Sequence, residues 1–512
     1  MNTKPAVPMA GLPPFQAIAD LVRGHAGAHP QRQALVQGER AVSWLQLDAM
    51  MDRVAASLQR DQVEPQQAIA ICAANSLEYA AVFLGALRAG VAVAPLPVGA
   101  LPAQLATMVA DSGARHLFVD ANAPLVESSA QRIALDSTGS QSLADWLMPE
   151  GSRPRPVRVQ PQWPFNIIYS SGTTGTAKGI VQPHAMRWAH VARAESYGYG
   201  PDSVTLIATS LCSNTTLVCF FPTLARGGTV VLAAPKFDAA AYLTLAEKVR
   251  ASHTMLVPVQ YQRIMALPEF DDYNLSHFVM KFCTSAPFHA ALKADVLARW
   301  PGGLVEFYGM TEGGGSCILE AHNFPDKLHT VGQPPEGHDM RLIDEEEREL
   351  PAGEIGELVG RSPSMMTGYH NQPGKTREAE WYDSAGNRYI RTGDVGRFDE
   401  DGFLTLMDRR KDMVISGGFN IYPSDIEVVL RQHPAGADAA VIGVPSQEWG
   451  ETPVAFVVPL AGATVTAKTI QDWANQQLGK TQRLAGLRFT GELPRSHIGK
   501  VLKRQLRDEW VS

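Results

Sequence analysis

Apolar residues in this chain fall into short solid blocks that alternate with longer helical stripes. That pattern is expected of buried, mostly parallel strands joined by helices. The block "AIAICAA" (68–74) predicts a buried strand. The stripe "SLEYAAVFLGALRAG" (76–90) predicts a helix stopping at Gly90, with Asn75 as N-cap and Glu78 as its capping-box partner. "VAVAPL" (91–96) then reads as the next strand, completing a βαβ unit. The pattern recurs in "GGTVVLAAP" (227–235), a helix over 239–250 and the strand "HTMLVPV" (253–259). From Gly353 onward the blocks shorten and turns crowd in, as in "GEIGELVG" and "DEDGFLTLMD", which predicts a β-rich subdomain. Past Met407 the pattern is that of a small α+β unit. It has the strand "DMVIS", a helix opening at Ser424 with Glu427 as capping-box partner, strands "DAAVIGVP" and "PVAFVVP", a helix from Ala467 and a basic tail. There is no internal repeat and no low-complexity tract.

Composition narrows the function classes. At 512 residues the chain is too long for one ordinary core, so two or more domains are expected. A formal net charge of −7 argues against a general nucleic-acid binder. Cys72, Cys212, Cys219, Cys283 and Cys317 show neither a CxxC pair nor zinc spacing, and read as buried thiols in a reducing, cytoplasmic setting. The first residues, "MNTKPAVPMAGLPPF", lack the apolar region of a signal peptide. The most apolar stretch, 80–98, is interrupted by Arg88 and Pro95, so no membrane span is expected.

One stretch combines Gly, hydroxyls and a cation: "IIYSSGTTGTAKGIVQPH", from Ile167 to His184. It is not a Walker A loop, because Ala177 precedes Lys178 and Gly179 follows it. The physics of an anion cradle still applies. Glycines let backbone N–H groups converge, hydroxyls add donors, and Lys178 adds charge. Taken alone, the stretch is equally an ordinary loop.

Its company decides between them. "YSSGTTGTAKG" (169–179), "FYGMTEGGG" (307–315), "GEIGELVGRSPSMMTGYHN" (353–371), "YIRTGDVGRFDEDGFL" (389–404), "DRRKDMVISGGFNIYPSDIE" (408–427) and "LPRSHIGKVLKRQL" (493–506) occur in that order. Together they resemble the adenylate-forming superfamily of acyl-CoA synthetases, peptide-synthetase adenylation domains and luciferases, over essentially the whole chain. The resemblance implies an α/β fold. A large N-terminal adenylation domain (1–407) would hold two mixed sheets with flanking helices plus the β-rich subdomain. A hinge at 408–411 and a small mobile α+β C-terminal domain (412–512) would follow. It also implies MgATP as substrate: a carboxylate attacks the α-phosphorus, giving an acyl-adenylate and pyrophosphate, and in the ligases a thiol then takes the acyl group. Both steps place negative charge on oxygen, so positioned donors and cations should dominate catalysis.

The roles below are those the resemblance implies. Ser170, Ser171, Gly172, Thr173, Thr174, Gly175 and Lys178 grip the β- and γ-phosphates. Thr174 and Glu312 serve the magnesium, a hard cation that favours oxygen. Tyr308, followed by Gly309 and Met310, stacks on adenine, Thr311 meets the α-phosphate, and Ser285, Ala286 and Pro287 border the adenine edge. Asp394 accepts from the ribose hydroxyls, and Arg409 helps hold the nucleotide. Lys411 occupies the hinge position, where many relatives carry Asp. Lys500 is the adenylation lysine, a point cation for the bridging oxygen and the substrate carboxylate; without its motif it reads as one more exposed lysine beside Lys503, Arg504 and Arg507. Gly417, Gly418 and Phe419 line the pantetheine passage, and Trp449 matches a position beside it, which favours CoA as acceptor.

The chain departs from the family at the acyl pocket. Where relatives show a Pro-Leu-aromatic-His stretch, this sequence has "TSLCSNTTLVCFF" (209–221), placing Cys212, Ser213 or Asn214 at the wall. Gly313 and Gly314 stand beside it and suggest room for a wide acyl group. No acidic residue lies between Ser203 and Ala233 to hold a substrate ammonium, which disfavours an amino acid. The expectation is therefore an acyl-CoA ligase for an apolar aliphatic, alicyclic or aryl carboxylic acid, with ATP and CoA as small-molecule partners and a homodimer as its assembly. Three rivals are a standalone enzyme loading an acyl group onto a carrier protein, a luciferase-like oxygenase, which shares every one of these motifs, and a non-catalytic nucleotide-binding sensor. The sensor would be expected to have lost Glu312 or Lys500.

Overall fold

The computed structural model describes residues 12–136, 141–169, 178–409, 412–416, 419–446, 449–460, 462–479, 482–496 and 499–511. The chain forms two compact units. One comprises Met1–Met340 with Gly360–Ile390, the other Arg341–Val359 with Arg391–Ser512.

The first unit carries two mixed sheets. The seven-stranded sheet runs, in spatial order, Gly368–Tyr369, Gly179–Pro183, Pro164–Tyr169, Ala92–Pro95, Ala68–Cys72, His116–Val119 and Gln131–Ala134. The predicted βαβ unit is present: Ala68–Cys72 and Ala92–Pro95 pair in parallel, with Leu77–Arg88 as the crossover helix. The eight-stranded sheet runs Cys317–Glu320, Gly303–Tyr308, Met280–Cys283, His253–Leu256, Val204–Ile207, Thr229–Leu232, Gln33–Gln37 and Arg40–Ser43. Its central pairs are parallel, and its two edge pairs are antiparallel. The second expected βαβ unit is also there, although Val204–Ile207 lies between its two strands. Its last strand ends at Leu256, because Pro258 takes the first turn of the next helix, where a missing N–H costs nothing.

One apolar core joins both sheets. Helices Trp44–Arg60, Leu77–Arg88 and Asn214–Ala225 contribute to it alongside strand residues Ile69, Phe165, Ile207 and Val230. Leu77–Arg88 buries every residue except Glu78, which explains its nearly unbroken apolar sequence. Phe165 meets Phe221 edge-on at 4.8 Å between centroids, and Phe83 meets Phe221 at 5.4 Å. The cap of this helix differs from the expected one. Ser76, not Asn75, accepts from the Tyr79 N–H at 3.0 Å. Asn75 is committed elsewhere: its amide donates to the Thr209 carbonyl at 2.8 Å and accepts from the Leu211 N–H at 2.8 Å. It thus fastens the loop that leads into the expected acyl wall.

In the second unit, Gly450–Pro459 pairs antiparallel with Gly436–Ser446 and Val414–Ser416, and in parallel with Gly486–Phe489. Helices Pro423–Arg431 and Ala467–Gln477 cover the core of Val414, Ile426, Val441, Ala455 and Ile470. The expected capping box at Ser424 does not form. Pro423 is already helical, Ser424 donates to the Met407 carbonyl, and Glu427 accepts from the Val441 N–H at 2.9 Å. The basic tail is a helix, Lys503–Val511, pinned by Lys503 to Glu427 at 3.0 Å and by Arg507 to Asp412 at 3.0 Å. Those two cations are structural anchors rather than a solvated run. No helix among the described residues is long and apolar enough to cross a membrane, and all five cysteines are free and buried.

Candidate active site

The strand Pro164–Tyr169 precedes the glycine-rich stretch and Gly179–Pro183 follows it, and the two strands pair antiparallel. Ser170, Ser171, Gly172, Thr173, Thr174 and Gly175 lie outside the described residues. The cation at the loop's end does not: Lys178 places its Nζ 4.8 Å from the centre of the Tyr369 ring. The Tyr369 hydroxyl in turn donates to Glu312 Oε1 at 2.8 Å. Burial first, and then the neighbouring Glu312, push the Tyr369 phenol well up, so it remains a donor. One tyrosine therefore gathers the loop lysine and the "MTEG" carboxylate, 134 positions apart in the chain.

The backbone around Glu312 is equally fixed. Its carbonyl accepts from the Met366 N–H at 2.8 Å, and the Thr311 carbonyl accepts from Gln182 at 2.6 Å. Gly313 and Gly314 have φ of 76° and 83°, the left-handed region that favours glycine. The side where Gly313 would carry a Cβ is filled by the Ser364 carbonyl, and that of Gly314 by the Gly360 carbonyl. The glycines thus admit a second backbone segment, which is a different use from the open space expected of them. Gly313→Ala would bring its methyl 1.8 Å from the Ser364 oxygen. It should lower stability by about 2 kcal/mol or more, from strained φ plus overpacking, read as a lowered denaturant midpoint.

Tyr308 ends the strand Gly303–Tyr308, with Gly309 and Met310 leading to Thr311. Ser285 has φ of 83° and shares a hydrogen bond of 2.5 Å with Thr215, while Thr284 donates to the Phe307 carbonyl at 2.8 Å. These contacts bring the 284–287 loop, with Ala286 and Pro287, to the Phe307–Thr311 segment and the start of helix Asn214–Ala225. Ser213 is that helix's N-cap, accepting from the Thr215 N–H at 3.3 Å, and Cys212 is buried behind it. Asn214 opens the helix and accepts from Arg187 at 2.8 Å.

The remaining candidates belong to the second unit. Asp394 and Arg409 are direct partners across the antiparallel pair Arg388–Phe398 and Leu404–Arg409, and the Thr392 hydroxyl receives the Asp394 N–H at 3.0 Å. Lys500 sits in a closed turn: its carbonyl accepts from the Ser496 N–H at 2.8 Å and its N–H donates to the Ser496 hydroxyl at 3.2 Å. Trp449 is 52% exposed, more than a packing aromatic would be. Lys411, Gly417 and Gly418 lie outside the described residues, and Phe419 begins the short strand Phe419–Ile421.

The Glu312 corner fits a magnesium–polyphosphate. Magnesium is commonly held by one or two carboxylates plus phosphate oxygens and water, and here a hard carboxylate and an ammonium flank the same phenol. Tyr369, Gln182 and Arg187 are not among the site residues expected from the sequence; Tyr369 stands inside "GEIGELVGRSPSMMTGYHN", and Gln182 is a polar residue in an apolar strand.

Comparison with known proteins shows the family. The AMP-binding enzyme family matches residues 22–370, and its C-terminal domain matches 425–500. The chain belongs to the AMP-binding enzymes and is an adenylate-forming ligase. A feruloyl-CoA synthase of Amycolatopsis sp is 32% identical over 93% of this chain and 96% of its own length. An indoleacetate–CoA ligase of Aromatoleum aromaticum is 31% identical over 96% and 97%. The crystal structure of ATP-bound MatB from Rhodopseudomonas palustris superposes with a TM-score of 0.85 at 28% identity, covering 96% of this chain and 99% of that one.

Proposed function

We propose that this enzyme activates a carboxylic acid with ATP, releasing pyrophosphate, and passes the acyl group from the acyl-adenylate to CoA, releasing AMP. The observation that carries the reading is the Lys178–Tyr369–Glu312 constellation, standing where a polyphosphate and its metal would be handled. The relatives named for CoA thioester formation support the acceptor. Magnesium, when bound, neutralises phosphate charge; Thr174 and Glu312 are the residues that would hold it.

This chain's own groups supply the rest. Lys178 places a cation near the leaving pyrophosphate. Tyr308 stacks on adenine, and Asp394 receives the ribose hydroxyls, with Arg409 directly across the strand pair. Lys500 attends the bridging oxygen in the first step. For the second, Gly417, Gly418, Phe419 and Trp449 accommodate pantetheine, with Lys411 as pivot of a moving 412–512 segment. The exposure of Trp449 leaves its indole open to such a contact. The five buried free thiols suit a reducing cytoplasm.

Asp394→Ala should weaken ATP binding by roughly 1.5–3 kcal/mol, the worth of hydrogen bonds to a charged acceptor. GTP should remain a poor ligand for both proteins, since this carboxylate does not read the base. Calorimetry with ATP checks it, and an unchanged affinity would remove Asp394 from the site. Pyrophosphate release across a panel of acids, with and without CoA, tests the proposal as a whole.

A further inference from the structure

Behind the expected acyl wall lies a buried polar cluster that the reaction so far leaves unused. Arg187, on helix His184–Ala192, is 1% exposed. Its Nε and Nη2 donate to Asn166 Oδ1 at 3.2 and 3.1 Å, and Nη2 also reaches Gln182 Oε1 and Asn214 Oδ1. Every one of these acceptors is a neutral amide. Among the described residues no carboxylate pairs with Arg187 or Arg193, and Nη1 of each is buried without a hydrogen-bond partner. Burial alone pulls the Arg187 guanidinium down to about 9, as expected of a buried cation lacking a counter-charge.

Two imidazoles complete the group. His190, one turn beyond Arg187, has a buried Nδ1 without a partner, and its charged form is opposed by burial and then by Arg187, Arg193 and His338. His338 accepts at Nδ1 from the Ser316 N–H at 3.1 Å, so its remaining N–H is on Nε2. Ser316 follows the glycines of the "EGGGS" loop, and Asn214 is one of the three residues expected at the acyl wall, so the cluster touches both segments that the sequence places beside the acyl pocket. Glu320 acts on Tyr197, beside Arg193, and accepts from Asn323 at 2.8 Å.

A buried guanidinium without a counter-charge is costly, and an unmet donor beside it adds to that cost. A ligand that brings the missing charge removes both penalties. We infer that the acid activated here carries a second anionic oxygen group, a carboxylate at the end away from the one adenylated, received by Arg187 and Arg193. This rests on the adenylation reading and refines it: the acyl body is apolar and its far end is charged.

The test uses the full-length enzyme with MgATP and CoA and matched acids of equal length, heptanoate against heptanedioate and 3-(4-methylphenyl)propanoate against 3-(4-carboxyphenyl)propanoate. Pyrophosphate release and thioester formation are followed together. At least one diacid should exceed its monoacid partner in kcat/KM by about tenfold or more, the scale of a charge-assisted hydrogen bond. Arg187→Met should erase that preference through KM for the diacid, Arg187→Lys should restore part of it, and Arg193→Gln should reduce it independently. If Arg187→Met is insoluble, Arg193→Gln, at a less buried position, carries the test. Monoacids turned over as well as or better than both diacids would overturn the inference and leave the adenylation reading intact. Pyrophosphate release with none of the acids would overturn that reading, and the inference with it.

Discussion

Lys500→Ala is expected to slow acyl-adenylate formation by about two orders of magnitude or more, the scale for losing one positioned electrostatic donor in a site where oxygen gains charge. Thioester formation from supplied acyl-adenylate should stay nearly intact. The turn carrying Lys500 is held by backbone contacts to Ser496, and the helix after it is anchored through Lys503 and Arg507. Truncating the side chain therefore leaves that scaffold standing, and an effect confined to one half-reaction reports chemistry rather than folding. Rapid-quench measurement of acyl-adenylate, beside thioester output from synthetic adenylate, separates the two. Equal loss in both would assign Lys500 a structural role.

Glu312→Gln should reduce pyrophosphate release by about two to three orders of magnitude, or about 3–4 kcal/mol of transition-state stabilisation, the scale of losing a metal's charge stabilisation. The amide keeps an oxygen for the Tyr369 hydroxyl, so the local packing should survive. What is lost is the negative charge that attracts a hard cation. The dependence on magnesium concentration should shift upward, and that shift distinguishes the variant from a merely misfolded one. Tyr369→Phe is the companion. It removes one hydrogen bond to Glu312 and keeps the ring under Lys178, and should cost only about 1 kcal/mol. A Glu312→Gln enzyme with unaltered magnesium dependence would remove Glu312 from the metal site.

Much of the architecture was legible because its signals are local. Solid apolar blocks mark strands buried on both faces, and the crossover helix Leu77–Arg88 is apolar almost throughout because it is buried almost throughout. What stayed hidden depends on distant partners. Asn75 is as good a cap as Ser76 by residue type, and only the Thr209–Leu211 loop, far along the chain, takes it for another purpose. Ser424 and Glu427 have capping-box spacing, but Met407, Val441 and Lys503 compete for their side chains. The same holds at the site. Glu312 and Lys178 stand out within their motifs, whereas Tyr369 acquires meaning only by touching both. The polar cluster did leave a trace: Asn166 in "FNIIY" and Gln182 in "GIVQP" break apolar strands, and buried amides in such positions require partners. Arg187 is that partner, on a helix whose sequence alone marks it as an ordinary basic residue.

In the proposed reaction, ATP is cleaved between its α- and β-phosphates to make an acyl-adenylate that CoA then consumes. Single-turnover reaction of enzyme, MgATP and a turned-over acid, quenched and resolved for nucleotide products, tests it directly. Without CoA, pyrophosphate and enzyme-bound acyl-adenylate should form in amounts matching the enzyme. On adding CoA, AMP and acyl-CoA should appear in equal yield as the adenylate disappears. Formation of ADP and inorganic phosphate, or of thioester with no preceding adenylate, would contradict it.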